Sequence, residues 1–108
     1  MAVAGGEVAE LVFEALADPT RRRVLELISE RGEASASSLA RELPVTRQAI
    51  AKHIELLARA GLIDSRRSGR ELLFRPTPEP MSEAMRWMSA VGSRWDSRLA
   101  RLERQLGS

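Results

Sequence analysis

Polar side chains with directional hydrogen-bonding groups cluster at the start of one predicted helix. Arg47 donates in a planar fork that matches the edge of guanine, and Gln48 can pair with adenine in the same bidentate manner. Ala51 and Lys52 fall on the same outer face of that helix. In a helix-turn-helix, the first residues of the second helix reach base edges in the major groove. These residue types in this order therefore predict an interaction with double-stranded DNA.

A second basic group follows in the segment 63–76, IDSRRSGRELLFRP. Ser68-Gly69 predicts a two-residue hairpin turn, because glycine adopts a positive φ without steric cost. Leu72 and Phe74 alternate, so they share one face of the returning strand. Such a hairpin tip can lie along the DNA backbone or enter the minor groove. The predicted tip holds three arginines, namely Arg66, Arg67 and Arg70.

The helix-turn-helix that must position the first group spans Ser37 to Ile63. Pro44 ends its first helix, because proline lacks an N–H and its ring clashes with the preceding turn. Thr46 then offers a side-chain oxygen that caps the free N–H groups of the second helix. The inner face of the second helix is an apolar stripe with helical spacing, made of Ile50, Ile54, Leu57, Ala58 and Gly61.

Two helices are predicted before this motif. Residues 1–7 are expected to be a disordered tail, and residues 8–108 a single domain. Phe13 lies off the apolar stripe of the first helix, so it either faces a second subunit or is a surface residue. Asp18 and Pro19 are a strong start for the second helix. Its run of arginines at 21–23 is interpreted as a solvated face in preference to a phosphate contact. In the first helix, the spacing of an amphipathic helix is followed by Val8, Leu11, Val12, Ala15 and Leu16.

The C-terminal segment, about 79–106, repeats apolar or small residues at alternating spacings of four and three. This is a coiled-coil-like seam over nearly four heptads. We expect it to pack on a second copy of the chain, because so small a domain has nothing long enough to cover it. Lining of a ligand pocket is the less favoured alternative. The seam contains Met81, Met85, Met88, Gly92, Trp95, Leu99, Leu102 and Leu106.

The charge of the chain is unevenly distributed. The net charge is only +2, but residues 44–76 carry seven bases against three acids. All but one of the 17 basic residues are arginines, which suit bidentate contacts to phosphate and guanine. The positive charge therefore lies on the segment that carries the predicted DNA contacts.

Four parts of the sequence match a known family, namely FEALADPTRRRVLEL (13–27), LAREL (39–43), TRQAIAKHIELLARAGLI (46–63) and the hairpin. In these parts the chain resembles ArsR-type winged helix-turn-helix repressors. The resemblance covers most of residues 8 to 76. It implies a mainly α fold with a small β-hairpin, in which the N- and C-terminal helices form a homodimer interface that includes Leu11 and Phe13. It also implies repression by promoter occupancy. It places Thr46 on the DNA face together with Arg47, Gln48 and Lys52, and the predicted set of DNA-contacting residues also includes His53.

Many ArsR-type repressors sense metals, and this sequence departs from them. It has no cysteine and a single histidine, His53, whereas zinc needs three or four N, S or O ligands. The chain therefore most resembles the metal-independent branch, with no metal and no cofactor. His53 is interpreted as a packing or phosphate-contacting residue, and the sequence does not identify any small-molecule effector.

Other classes of function find little support in the sequence. No nucleophile–histidine–acid set and no glycine-rich phosphate loop is present, so no enzyme is predicted. The absence of a signal segment and of a long apolar run predicts a cytoplasmic protein with no membrane partner. A winged helix that binds protein instead of DNA is the main alternative. That alternative would need exposed apolar residues on the outer face of the second helix of the motif.

Overall fold

The computed structural model describes residues 6–106, with the side chain of Trp95 outside the description. The predicted tail at 1–7 mostly lies outside the described residues, but Gly6 and Glu7 are already helical, so that boundary is corrected. The elements run in the order α1 (Gly6–Ala15), α2 (Pro19–Arg31), β1 (Ala34–Ser35), α3 (Ala36–Glu42), α4 (Arg47–Arg59), β2 (Ile63–Ser68), β3 (Glu71–Pro76) and α5 (Glu79–Leu106).

Side-chain caps set the starts of the three central helices. The Asp18 carboxylate accepts from the Arg21 N–H at 3.0 Å, and the Thr46 hydroxyl accepts from the Ala49 N–H at 3.0 Å. Ser35 caps α3 in the same way, through the N–H of Ser38 at 3.2 Å. Each cap satisfies a backbone donor that the first helical turn leaves without an internal partner. The predicted starts at Asp18 and Thr46 are therefore confirmed.

The core brings together buried residues of all five helices and of β1 and β2. Ile50, Ile54 and Leu57 of α4 are buried, which confirms most of the predicted stripe. Ala58 is exposed, because it lies at the edge of the stripe, roughly 70° from its centre at about 100° per residue. The fully buried residues that these side chains meet include Val24, Ile28, Leu39 and Leu62.

A three-stranded antiparallel sheet has the order β1-β3-β2. Ala34 pairs with Phe74, so β1 is a two-residue edge strand of this sheet. Ser68 pairs with Glu71, which makes Gly69-Arg70 the two-residue turn instead of the predicted Ser68-Gly69. Gly69 has φ +62°, so the glycine still supplies the positive φ that the turn requires.

The N-terminal part of α5 has a partner within its own chain. Ala84 is fully buried, and the rings of Phe13 and Trp87 meet edge to face with centroids 5.9 Å apart. Met81, predicted as a seam residue, is half-buried against the core of its own chain. The expectation that nothing in the chain covers α5 is therefore wrong for its first turns. Apart from Met81, the residues that pack there, Ala84 and Trp87, do not belong to the predicted seam.

The rest of α5 extends beyond the domain. At 28 residues it is about 42 Å long, and the described chain measures 66 × 27 × 23 Å. Within residues 6–106, no helix is long and apolar enough to cross a membrane.

Gly61 ends the motif with φ +74°, and a Cβ added there would lie 3.1 Å from the Cγ atom of Pro80. We predict that Gly61→Ala lowers the free energy of unfolding by about 1–2 kcal/mol for the left-handed backbone, plus the cost of moving Pro80. Gly69→Ala is the matched control, because its φ is also positive but no atom lies within 4 Å of the added Cβ. Urea unfolding at fixed protein concentration gives both values. Equal losses in the two variants would show that the contact with Pro80 has no energetic effect.

Candidate nucleic-acid interface

The outer face of α4 is the candidate base-reading surface. The buried stripe fixes α4 on the domain, so the residues of the opposite face point to solvent. Thr46, Arg47, Gln48 and Ala51 line a shallow open groove at the N-terminal end of the helix. The backbone N–H groups at a helix start also favour negatively charged groups nearby. The structure thus brings the predicted reading residues together on one exposed surface.

Arg47 and Gln48 are available for intermolecular contacts. Among the described residues, neither side chain makes a hydrogen bond or an ion pair, and both are exposed. Lys52 is also exposed but lies 3.8 Å from the Glu55 carboxylate. An exposed pair of this kind contributes little free energy, so Lys52 can exchange it for a phosphate at small cost.

His53 has a different environment from the other predicted contacts on α4. It is half-buried, and its Nδ1 atom is fully buried without a hydrogen-bond partner in the described chain. It lies near the start of α2, where the pKa of Asp18 is lowered chiefly by the hydrogen bond from the Arg21 N–H and to a lesser degree by the charge of His53. This position favours the packing role over direct contact with DNA.

The arginines of the hairpin fall into two groups. Arg66 forms a bidentate ion pair with Glu33, with 2.9 Å from Nε to Oε2 and 2.6 Å from Nη2 to Oε1. It lies within β2, opposite Leu73, and not at the tip. Arg67 and Arg70 are exposed, and within residues 6–106 their side chains have no hydrogen-bond or ion-pair partner. The tip therefore carries two arginines without a partner among the described residues, whereas Arg66 attaches the hairpin to the turn before β1.

Sequence reasoning did not anticipate the role of Glu33. The hydrogen bond from Arg66 lowers the pKa of Glu33 and raises the pKa of Arg66. The two residues are 33 positions apart in the chain. No local pattern marks them as partners, because the pairing depends on the path of the sheet.

The arginine run of α2 is also divided by the structure. Arg22 donates to the Leu16 carbonyl at 2.8 Å, and Arg23 pairs with Glu26 at 3.2 Å, so the predicted solvated face is correct for these two. Arg21 is only 9% exposed, and for this residue the prediction is wrong. The Arg21 side chain lies beside residues of α1 and of the C-terminal end of α4, which cover it.

A second surface of the domain is apolar. The unpaired seam of α5 projects several large side chains into solvent, and α1 contributes two more beside it. Exposed apolar patches of this extent mark interaction surfaces in soluble proteins. The exposed residues are Leu11, Phe13, Met85, Met88, Leu99, Leu102 and Leu106.

Comparison with known proteins finds related sequences and structures. A family model described as a helix-turn-helix domain matches residues 16–66. An HTH-type transcriptional regulator of Bacillus subtilis, YuzN, is 43% identical over 64% of this chain and 84% of its own length. The arsenic resistance transcriptional regulator ArsR1 of Pseudomonas putida is 33% identical over 81% of this chain and 69% of its own length. A solved ArsR-like transcriptional regulator from Rhodococcus sp. RHA1 is 40% identical, with a TM-score of 0.87 over 98% of this chain and 99% of that one.

The pair between Glu33 and Arg66 predicts a pH response of the hairpin. A carboxyl group with a lowered pKa stabilises the folded state above its unfolded-state pKa, and this contribution is lost as the pH falls through the folded-state value. We expect carbon-detected NMR titration to show a higher Glu33 pKa in Arg66→Gln than in the native chain. Arg67→Gln is the control and should leave that pKa unchanged. An unchanged Glu33 pKa in Arg66→Gln would contradict the ion pair.

Proposed function

The chain belongs to the ArsR family of winged helix-turn-helix transcriptional regulators, and on that basis we propose that it is a homodimeric repressor of an inverted-repeat operator. The observation that carries the proposal is the position of Arg47 and Gln48. They stand exposed and unpaired, within the described chain, on a helix whose opposite face is fixed in the core. A recognition helix requires this combination, because base reading needs free side chains on a rigid support.

The proposed contacts divide into reading and positioning. Arg47 and Gln48, with Thr46 and Ala51 beside them, enter the major groove and read bases. Lys52, Arg67 and Arg70 bind phosphates, which adds affinity without sequence information. Arg66 contributes through its ion pair with Glu33, which fixes the direction of the hairpin. His53 packs on the inner side of α4 and helps to hold the helix on the domain.

Dimerisation follows from the exposed apolar surface of α1 and α5. Burial of a Leu or Met side chain contributes about 1.5–3 kcal/mol, so a second copy that covers this surface gains a substantial free energy. Two-fold symmetry would place two α4 helices about 34 Å apart, on successive turns of one DNA face. The operator of such a dimer is an inverted repeat.

The remaining parts of the proposal concern location and alternatives. The relatives compared above are named as transcriptional regulators, not as enzymes. A regulator of this kind works where the chromosome is, so we place it in the cytoplasm. Independence of metals remains part of the proposal and rests on the absence of cysteine from the sequence. The protein-binding alternative is not favoured, because the exposed surface of α4 offers only the small apolar side chains of Ala51 and Ala58 among polar ones.

We predict that Arg47→Ala weakens binding to the cognate operator by about 1–3 kcal/mol and relaxes sequence preference. Arg67→Ala and Arg70→Ala should weaken binding to all sequences alike, and each should reduce the slope of log affinity against log salt by about 1. Fluorescence anisotropy at several salt concentrations measures both effects. Arg23→Ala is a control, since Arg23 pairs with acids on its own helix. Unchanged affinity in Arg47→Ala would refute the assignment of the reading surface.

We further predict that Leu99→Glu dissociates the dimer, because two carboxylates buried at the seam would cost about 3 kcal/mol or more. Ser97→Glu is the matched control, since Ser97 is exposed and lies on the opposite face of α5. Sedimentation equilibrium gives the assembly state, and operator binding is measured on the same samples. A dimeric Leu99→Glu would show that the seam is not the interface. A monomer with native operator affinity would show that assembly and affinity are not coupled.

A further inference from the structure

A cavity of about 210 Å³ lies between α1, the first turn of α2 and the C-terminal end of α4. Ala15 and Ala60 form its buried apolar wall, and Leu11 and Leu56 extend that wall towards solvent. Glu14, Arg21 and Arg59 complete the lining. The cavity therefore has an apolar side and a charged side, as binding sites for small organic ions do.

Arg21 is the unusual member of this lining. Its side chain is only 9% exposed, and its Nε atom is fully buried with no hydrogen-bond partner in the described chain. The Arg21 backbone N–H donates to Asp18, but the structure shows no hydrogen bond or ion pair of its guanidinium with a described residue. The buried Nε–H is costly to leave without an acceptor, because it has lost water and gained no hydrogen bond. The terminal nitrogens of the guanidinium are not among the fully buried atoms, so an anion in the cavity can accept hydrogen bonds from them.

The charges of the lining favour a ligand with one negative charge. Two arginines, Arg21 and Arg59, face one acid, Glu14, so the cavity has an excess of one positive charge. Glu14 lies in the same lining but makes no ion pair with Arg21 in the described structure. A carboxylate ligand matches the planar donor fork of arginine in two parallel hydrogen bonds.

The volume limits the size of the ligand. An apolar cavity of about 150 Å³ accommodates benzene. The cavity found here is larger by about the volume of a carboxylate, and it is too small for a nucleotide or a sterol. The space therefore fits a ring or a short chain that carries one carboxyl group.

We propose that this cavity binds a small organic monocarboxylate, with the carboxylate on Arg21 and Arg59 and the apolar part against Leu11 and Leu56. The ligand would touch both α1 and the C-terminal end of α4. A consequence for DNA affinity rests on the proposed function, because α4 carries the reading residues at its other end. Binding of the ligand itself does not depend on that function.

The test uses the full-length chain without DNA, with benzoate and hexanoate as probes. Two-dimensional amide NMR spectra should show shifts centred on Glu14, Arg21 and Ala60, with a dissociation constant of about 1 mM or below for at least one probe. Benzamide has the same shape as benzoate without its charge, and it should bind at least about tenfold more weakly. Absence of shifts at these residues with both acids would overturn the proposal, and so would equal affinities for benzoate and benzamide.

Variants separate the proposed site from general effects on folding. Arg59→Gln should weaken binding of the acid about tenfold, and because Arg59 is exposed the variant should fold normally. Arg41→Gln, an exposed arginine of α3 outside the cavity, should bind as the native chain does. Leu56→Trp fills the space and should abolish the shifts. Native affinity in both Arg59→Gln and Leu56→Trp would overturn the proposal.

The dimer provides a further decisive outcome, because Leu11 belongs both to the cavity and to the proposed interface. If the acid binds the Leu99→Glu monomer but not the dimer, a side chain of the second subunit occupies the cavity and the proposal is overturned. If the acid binds the native dimer, operator affinity is then measured with and without it. A chain that binds the acid but no DNA would refute the proposed function and leave the ligand site intact.

Discussion

Burial of one face of α4 is the constraint on which the rest of the structure depends. Ile50, Ile54 and Leu57 are nearly or fully removed from water, and each contributes about 1.5–3 kcal/mol by that burial. Because one face of α4 is packed in the core, the helix cannot rotate about its axis, and the direction of its outer face is fixed. Arg47 and Gln48 are therefore held outward by the packing of residues that never meet DNA, and the cap at Thr46 fixes the turn on which they stand.

Ion pairs hold the hairpin in a comparable way. Arg66 holds Glu33 in a bidentate pair, and Arg75 holds Asp64 at 2.8 Å across the two strands. Exposed pairs add little stability. The pair of Arg66 with Glu33 links the hairpin to the segment before β1, whereas the pair of Arg75 with Asp64 links the two strands of the hairpin to each other. Within the described chain, the side chains of Arg67 and Arg70 have no partner, so they can bind phosphate. Arg66, in contrast, holds the hairpin in position.

Local signals in the sequence predicted much of this arrangement. Asp18, Pro44 and Thr46 act on neighbouring backbone groups, so the helix boundaries that they set were readable from residue type and order alone. The features that were missed depend on contacts between distant segments. The burial of Arg21, the pair of Glu33 with Arg66 and the packing of Trp87 on Phe13 arise only when helices and strands meet. The hairpin turn was shifted by one residue for a related reason, since the register is set by pairing along whole strands.

Titration of the purified chain against the DNA upstream of its own gene tests the central claim most directly, namely that the exposed start of α4 reads a specific duplex. The account predicts saturation at two chains per operator, competition by unrelated DNA only in large excess, and affinity that falls as salt rises. Equal affinity for upstream and random DNA, or no binding at low salt, would contradict it.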